Sequence, residues 1–371
     1  MIRKSVGALL GFAMAAIMVF PAAAASPSAQ IAEPPFPSPA SIQAMLDDRV
    51  AKGRAVGIVL ATYRIGHQPR IYTSGTTGRA GLPLDGNTLF EIGSITKTFT
   101  TSLLVEMVNR GEVELDDPVA KYLPPEMRVP EQGGRKITLL DLATHTSGLP
   151  GLPTNIHPKD LSNPYADYTV GMLGEFLSSY SLPREIGSKY EYSAVGLALL
   201  GRALGDRLGM SWEQAVTERV LRPLGMRSTS ATLTAGQRDR LAPGHDETGK
   251  PVSNWDIPAL PAMGALHSSA EDMLKYLAAN MVPGSTPLGP LLARAHVPRV
   301  VMDEETKVGL AWQTGHASNR TIVWHGGGTG GYRSLIAFDP AKGIGVIVLS
   351  NSSSGADDIG FHLLDPNLPL E

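Results

Sequence analysis

A serine hydroxyl becomes a useful nucleophile only with a base beside it, and one stretch of this sequence supplies both. Ser94 and Lys97 lie in Phe90-Glu91-Ile92-Gly93-Ser94-Ile95-Thr96-Lys97. On a helix, positions i and i+3 are surface neighbours, so the amine can reach the hydroxyl. Lysine acts as a base only where burial or nearby cations lower its pKa. The free N–H groups and positive field of a helix start favour an oxyanion beside Ser94. Average composition yields about one Ser-x-x-Lys by chance in a chain this long, so the pair needs company. Tyr192, in Glu191-Tyr192-Ser193-Ala194, stands before an apolar helical run. A tyrosine there can relay a proton if cations lower its pKa, although aromatic side chains mostly serve packing. The glycines of Trp324-His325-Gly326-Gly327-Gly328-Thr329-Gly330-Gly331-Tyr332 let a backbone approach a ligand and present N–H groups to it. No Lys-Ser/Thr pair or helix signal follows them, which disfavours a phosphate cradle.

The surrounding pattern says what must hold these residues. Ile95, Phe99, Leu103 and Met107 recur every four residues, widened by Leu104 and Val108, and Gly111 reads as the helix stop. Residues 42–50 read as a helix, and residues 56–63 and 71–74 as strands around the turn Gly66-His67-Gln68-Pro69. Helical signals dominate from about residue 89 to 280. Three strand-like runs follow at 320–324, 332–338 and 344–350, the last two joined by Asp339-Pro340-Ala341-Lys342-Gly343. Strands, then helices, then strands predict an α+β fold. Its central antiparallel sheet is built from both chain ends with flanking helices, and a mostly helical subdomain is inserted. The expected division is a sheet part at about 40–88 and 285–371 and a helical part at about 89–284, with the cleft between them as the place for chemistry.

Composition narrows the class. Arg3 and Lys4, an uncharged apolar stretch over 6–20, Pro21 and the small residues Ala22 to Ala25 read as a secretory signal over residues 1–25. The apolar part is short for a membrane span, so residues 26–371 are expected as a monomer in the periplasm or secreted, without a stable membrane anchor. A net charge of −3, made more acidic by loss of that segment, argues against nucleic-acid or polybasic membrane partners. With no cysteine, disulfides, thiol chemistry and a lipid-modified cysteine are excluded. The histidines show neither His-Glu-x-x-His nor a close pair, so no metal and no other cofactor is expected. His145 follows a capping-box pattern, Thr138 to Asp141, and reads as structural near the end of a short helix. No Gly-x-Ser-x-Gly occurs, which disfavours a Ser-His-Asp α/β-hydrolase.

Taken together, Ser94-x-x-Lys97, Tyr192-Ser193-Ala194 and His325-Gly326-Gly327, in this order and spacing, resemble the three motifs of class C β-lactamases. The same motifs mark the related penicillin-binding D,D-peptidases and esterases. Asp141 to Leu149, Arg222-Pro223-Leu224-Gly225-Met226 and Gly330-Gly331-Tyr332 also resemble family segments, and the likeness spans about residues 40 to 355. The resemblance implies Ser94 as acylated nucleophile, Lys97 as its base and Tyr192 as proton relay. It also implies an oxyanion hole from the backbone N–H groups of Ser94 and Gly328. His325, Gly326, Gly327 and Ala194 are the implied substrate-binding positions.

Two of these depart from the family pattern. Ala194 stands where an Asn is usual, removing an amide that would orient lysine and substrate. His325 stands where a lysine is frequent, so an imidazole of ordinary pKa, largely neutral, would replace a fixed ammonium as carboxylate anchor. Anion affinity is then expected to be lower and pH-dependent, while neutral esters lose little. The implied function is hydrolysis of β-lactams through an acyl-enzyme. Carboxylesterase or D,D-carboxypeptidase (D-amino-acid peptidase) activity on the same machinery is the alternative, and a slowly turning-over penicillin-binding sensor comes third.

Overall fold

A near-continuous apolar run such as residues 344–349, Ile-Gly-Val-Ile-Val-Leu, is the pattern of a strand covered on both faces. The computed structural model describes residues 36–317 and 320–370; the signal-like segment lies outside them. The first strands are β1 (Gly57–Arg64) and β2 (Arg70–Gly75). Three short antiparallel pairs follow: β3 (Phe90–Glu91) with β8 (His267–Ser268), β4 (Glu131–Gln132) with β5 (Arg135–Lys136), and β6 (Gly244–His245) with β7 (Pro251–Val252). The C-terminal part adds β9 (Val300–Val301), β10 (Thr306–Val308), β11 (Gln313–Ala317), β12 (Arg320–Gly328), β13 (Arg333–Asp339) and β14 (Ile344–Ser350). The main sheet is eight-stranded in the order β2-β1-β14-β13-β12-β11-β10-β9. Every neighbouring pair in it is antiparallel. Both chain ends therefore build one sheet, and Ile58 of β1 pairs with Ser350 of β14.

Side-chain alternation sorts the two faces. Ile58 and Leu60 of β1, with Val346 and Val348 of β14, pack against α1 (Pro39–Ala51) and α10 (Asp357–Leu364). Val59, Ala61, Ile347 and Leu349 turn to the other face and join the large core of the helical part. Arg49 Nη1 of α1 donates to Asp358 Oδ1 of α10 at 2.9 Å, tying the two outer helices together. The remaining helices are α2 (Thr96–Asn109), α3 (Leu139–Ala143), α4 (Val170–Ser179), α5 (Ala194–Leu208), α6 (Trp212–Val216), α7 (Ala235–Arg238), α8 (Ala270–Met281) and α9 (Gly289–His296). α8 packs directly on β1, β13 and β14, so this helix lies on the sheet. Sheet and insertion share one continuous core.

α2 differs from the one-sided stripe that its sequence suggests. Every residue from Thr96 to Met107 is buried, as for a helix running through the middle of a core. Its hydroxyls are satisfied by bonds to carbonyls and a phenol. Thr101 Oγ1 donates to Leu310 O at 3.0 Å, Thr100 Oγ1 to Ala262 O at 3.2 Å, and the Ser102 and Tyr276 hydroxyls share a 2.8 Å bond. Gly111 adopts φ +69 just past the helix end, the left-handed geometry expected of a stop.

The glycine run also differs from a loop: β12 continues as strand through Gly328. The reason is the backbone turn that precedes α2. A Cβ on Gly327 would stand 2.1 Å from Ile92 O and 2.4 Å from Ser334 Oγ, and Ser334 Oγ itself donates to Ile92 O at 2.9 Å. Gly326, by contrast, has only Ser334 O at 3.8 Å near such a position. Gly327→Ala is therefore expected to destabilise the fold by about 1–3 kcal/mol or more through overpacking, and Gly326→Ala by much less. Thermal melts of the two variants check this, and equal melting temperatures would refute it.

Candidate active site

The turn beneath Gly327 carries the serine. Gly93–Ile95 is a single 3₁₀ turn leading into α2, so Ser94 sits at the mouth of the helix and Lys97 one turn inside. Lys97 Nζ stands 2.9 Å from Ser94 Oγ and donates to Met263 O at 2.6 Å. The lysine is buried, and burial alone lowers its pKa to about 7. The amine can therefore lose its proton near neutrality, which meets the condition a lysine base requires.

Tyr192 reaches the same oxygen from the other side, its O–H donating to Ser94 Oγ at 2.8 Å. A phenol lowered by cations, the condition named for a relay, is not what this site holds. Burial pushes the phenol up to about 12 rather than cations pulling it down, even though Lys97 Nζ lies 5.0 Å from the ring centroid. Tyr192 is a neutral proton donor in this geometry. Its position follows from local structure. Ser193 caps α5, its Oγ accepting from Gly196 N at 3.0 Å and donating to Pro150 O at 2.7 Å. Ala194 is the first residue of that helix and lines the cavity beside Ser94.

His145 proves to be the clamp on this segment. It follows α3, whose Thr138–Asp141 capping box is present, and holds φ +58. Its Nδ1 accepts from Ser193 N at 3.0 Å, its carbonyl accepts from Glu191 N at 2.8 Å, and its ring stacks on Tyr192 at 4.7 Å. Accepting at Nδ1 places the proton of the neutral ring on Nε2. His325 is the opposite tautomer, since its Nδ1 faces Gly326 O at 2.6 Å and a carbonyl can only accept. Burial, with Lys97 as the second cause, lowers His325 to about 4. The pH-dependent anion affinity expected of an ordinary imidazole is thereby corrected: this ring stays neutral well into the acid range.

Gly93, at φ +49, presses against Gly328, whose N would lie 2.7 Å from a Cβ on Gly93. The backbones of Ser94 and Gly328 thus meet at one end of the cleft, where two N–H groups can face a carbonyl oxygen. Two connected spaces open from there. One, of about 300 Å³, is lined by Ser94, Lys97, Tyr192, Tyr165, Trp255 and Ile257 among others. The second, of about 570 Å³, runs along β12 past His325, Gly326 and Gly327 to Arg333 and Asp357. The sequence reading did not single out Met263, Trp255, Arg333, or Glu91, whose Oε1 accepts from Trp255 N at 3.0 Å and Asn254 Nδ2 at 2.7 Å. Among the described residues, no three His, Cys, Asp or Glu side chains cluster as a metal centre would need.

A hydroxyl between a desolvated amine and a phenol, at a helix start facing paired backbone donors, is suited to acyl transfer. The fold and this arrangement define a serine hydrolase. The chain belongs to the β-lactamase family, whose model matches residues 42–363. It is 30% identical to the D-alanyl-D-alanine-carboxypeptidase/endopeptidase AmpH of Escherichia coli K12 over 81% of this chain and 88% of that protein. It is 29% identical to a β-lactamase of Pseudomonas fluorescens over 73% of this chain and 81% of the other. A class C β-lactamase solved in complex with cefoxitin superposes with a TM-score of 0.75 at 25% identity, covering 88% of this chain and 99% of that one.

Burial of Lys97 has a consequence for stability. Below about pH 7 the folded protein carries a desolvated ammonium, and between about 7 and 10.5 only the unfolded chain keeps the proton. Stability from this group therefore rises with pH across that window. Lys97→Met removes the dependence. Its stability relative to wild type should be higher at pH 6 than at pH 9, whatever constant cost the unpartnered Met263 carbonyl adds. Urea unfolding at both pH values checks this, and a pH-independent difference would refute the desolvated amine.

Proposed function

We propose that this chain opens β-lactam rings through an acyl-enzyme on Ser94. The observation that carries the reading is the convergence of Lys97 Nζ and the Tyr192 hydroxyl on Ser94 Oγ at 2.9 and 2.8 Å. In this mechanism the neutral Lys97 amine takes the Ser94 proton as Oγ attacks the ring carbonyl, whose developing oxyanion faces the Ser94 and Gly328 N–H groups. Each such donor typically contributes about 3 kcal/mol to lowering the barrier. Tyr192 then gives its proton to the departing ring nitrogen and is reprotonated from Lys97, so that proton bookkeeping closes. Water then attacks the ester as its proton passes through the Tyr192 hydroxyl to the neutral Lys97 amine, and Lys97 returns that proton to Ser94 Oγ as it departs.

A second reading shares this machinery: hydrolysis of esters or of D-Ala-D-Ala peptides. Two observations favour it. Ala194 offers no amide to hold a β-lactam side chain, and the neutral His325 offers no ammonium. The relative AmpH is named a carboxypeptidase and endopeptidase. The signal-like N-terminus supports action in the periplasm, and no helix among the described residues is long and apolar enough to cross a membrane.

Mass spectrometry after exposure to benzylpenicillin is expected to show a penicilloyl mass on Ser94, and none in Ser94→Ala. Absence of the adduct, together with no turnover of any β-lactam, would sink the first reading. Short nitrophenyl esters and D-Ala-D-Ala peptides test the second. For whichever substrate turns over, kcat/KM should rise with pH through an inflection near 7, as Lys97 loses its proton. A rate flat from pH 5.5 to 8.5 would remove Lys97 as the base.

A further inference from the structure

β-Lactams and C-terminal D-alanyl peptides both carry a carboxylate, and the cleft must meet it with something other than His325. That ring is 2% exposed, its Nδ1 is engaged with Gly326 O, and its Nε2 is buried. Lys97 is also buried, and both its amine contacts lie within the acid–base cluster. Among the described residues lining the two spaces of the cleft, Arg333 is the one side chain with a permanent positive charge.

Its placement is set by the sheet. Arg333 opens β13 and pairs in register with Gly328, the residue whose N–H faces the reacting carbonyl in the proposed mechanism. Its Nη1 lies 3.0 Å from the point where a Cβ on Gly328 would stand, so the guanidinium lies over the end of the glycine strand. Nε donates to Ser353 O at 2.8 Å, which orients the fork while leaving its outer edge in the cleft. The one acid lining the same space is Asp357, with a buried Oδ1 that has no hydrogen-bond partner. Gly355 separates the two: a Cβ there would be 2.8 Å from Arg333 Cγ and 2.9 Å from Asp357 Oδ1. Asp357 is close enough to temper the charge of Arg333 but makes no ion pair with it.

We infer that Arg333, one register position across from Gly328, is the specificity residue that binds the substrate carboxylate, with Asp357 setting the strength of that site. The inference rests on the acyl-transfer reading of Ser94. The expected geometry is a bidentate guanidinium–carboxylate pair at the open end of the cleft, which a neutral ester forgoes.

The test compares rates of Ser94 acylation by benzylpenicillin and by its methyl ester, followed by mass spectrometry on the same protein sample. The ratio of the two rates cancels any loss of folded protein. Wild type should prefer the free acid. Arg333→Gln should lower the ratio about 10- to 100-fold, the equivalent of one charge-assisted hydrogen bond or pair. Arg333→Lys should keep it within a few fold of wild type, and Asp357→Asn should raise it. An unchanged ratio in Arg333→Gln, or a lowered ratio in Asp357→Asn, overturns the assignment while leaving Ser94 chemistry intact. No acylation of wild type by either compound overturns the β-lactam reading and this inference together.

Discussion

Desolvation of one amine organises the molecule. An ammonium taken out of water loses its charge cheaply only if nothing nearby compensates it, and Lys97 has no carboxylate partner among its contacts. The neighbours are a carbonyl, a phenol and a serine hydroxyl, each able to bond the neutral form. That requirement explains why α2 is buried on all sides rather than along one stripe. A core this polar is stable because its hydroxyls are paired: Thr98, Thr100, Thr101 and Ser102 each bond a carbonyl. The two nearby histidines obey the same rule. Both are neutral, in opposite tautomers, and neither adds a charge that would disturb the lysine.

The site consequently has two characters. Around Lys97, Tyr192 and His145 it is closed, and proton positions are fixed by contacts between 2.6 and 3.0 Å. Along β12 toward Arg333 and Asp357 it is open and charged. Bond-making machinery on buried elements and recognition on an open rim overlap at a short shared wall, where Ser94, Tyr192, Trp255, Gly328 and Thr329 line both spaces. This division accounts for relatives named as differently as β-lactamase and D-alanyl-D-alanine-carboxypeptidase/endopeptidase.

Legibility in the sequence followed the range of each interaction. Ser94 and Lys97 stood out because a three-residue spacing is a local helical relation, and Tyr192 because it sits before a capped helix. The strand-like runs at residues 56–63, 320–324 and 344–350 announced themselves by apolar content, whereas the extension of β12 through its glycines to Gly328 did not. The short strands between Val300 and Ala317 did not, being only two to five residues long. Met263 acts through its carbonyl, which every residue possesses, so no side-chain pattern could reveal it. Arg333 becomes meaningful only through cross-strand register with Gly328. The protonation of Tyr192 depends on burial by residues distant in sequence, which no local pattern around it reveals. His145 was legible as structural, but its stacking on Tyr192 was not.

The pairing of β1 with β14 bears on the order of events in folding. Until the last strands exist, β1 has only β2 beside it, and an isolated hairpin is marginal in water. The outer helices wait as well, because Arg49 near the start of the chain finds Asp358 near its end. Contacts of such sequence separation close late and slowly. The sheet half of the molecule therefore cannot close until its last strand has been made, so the first strand of the sheet draws its stability from the end of the chain.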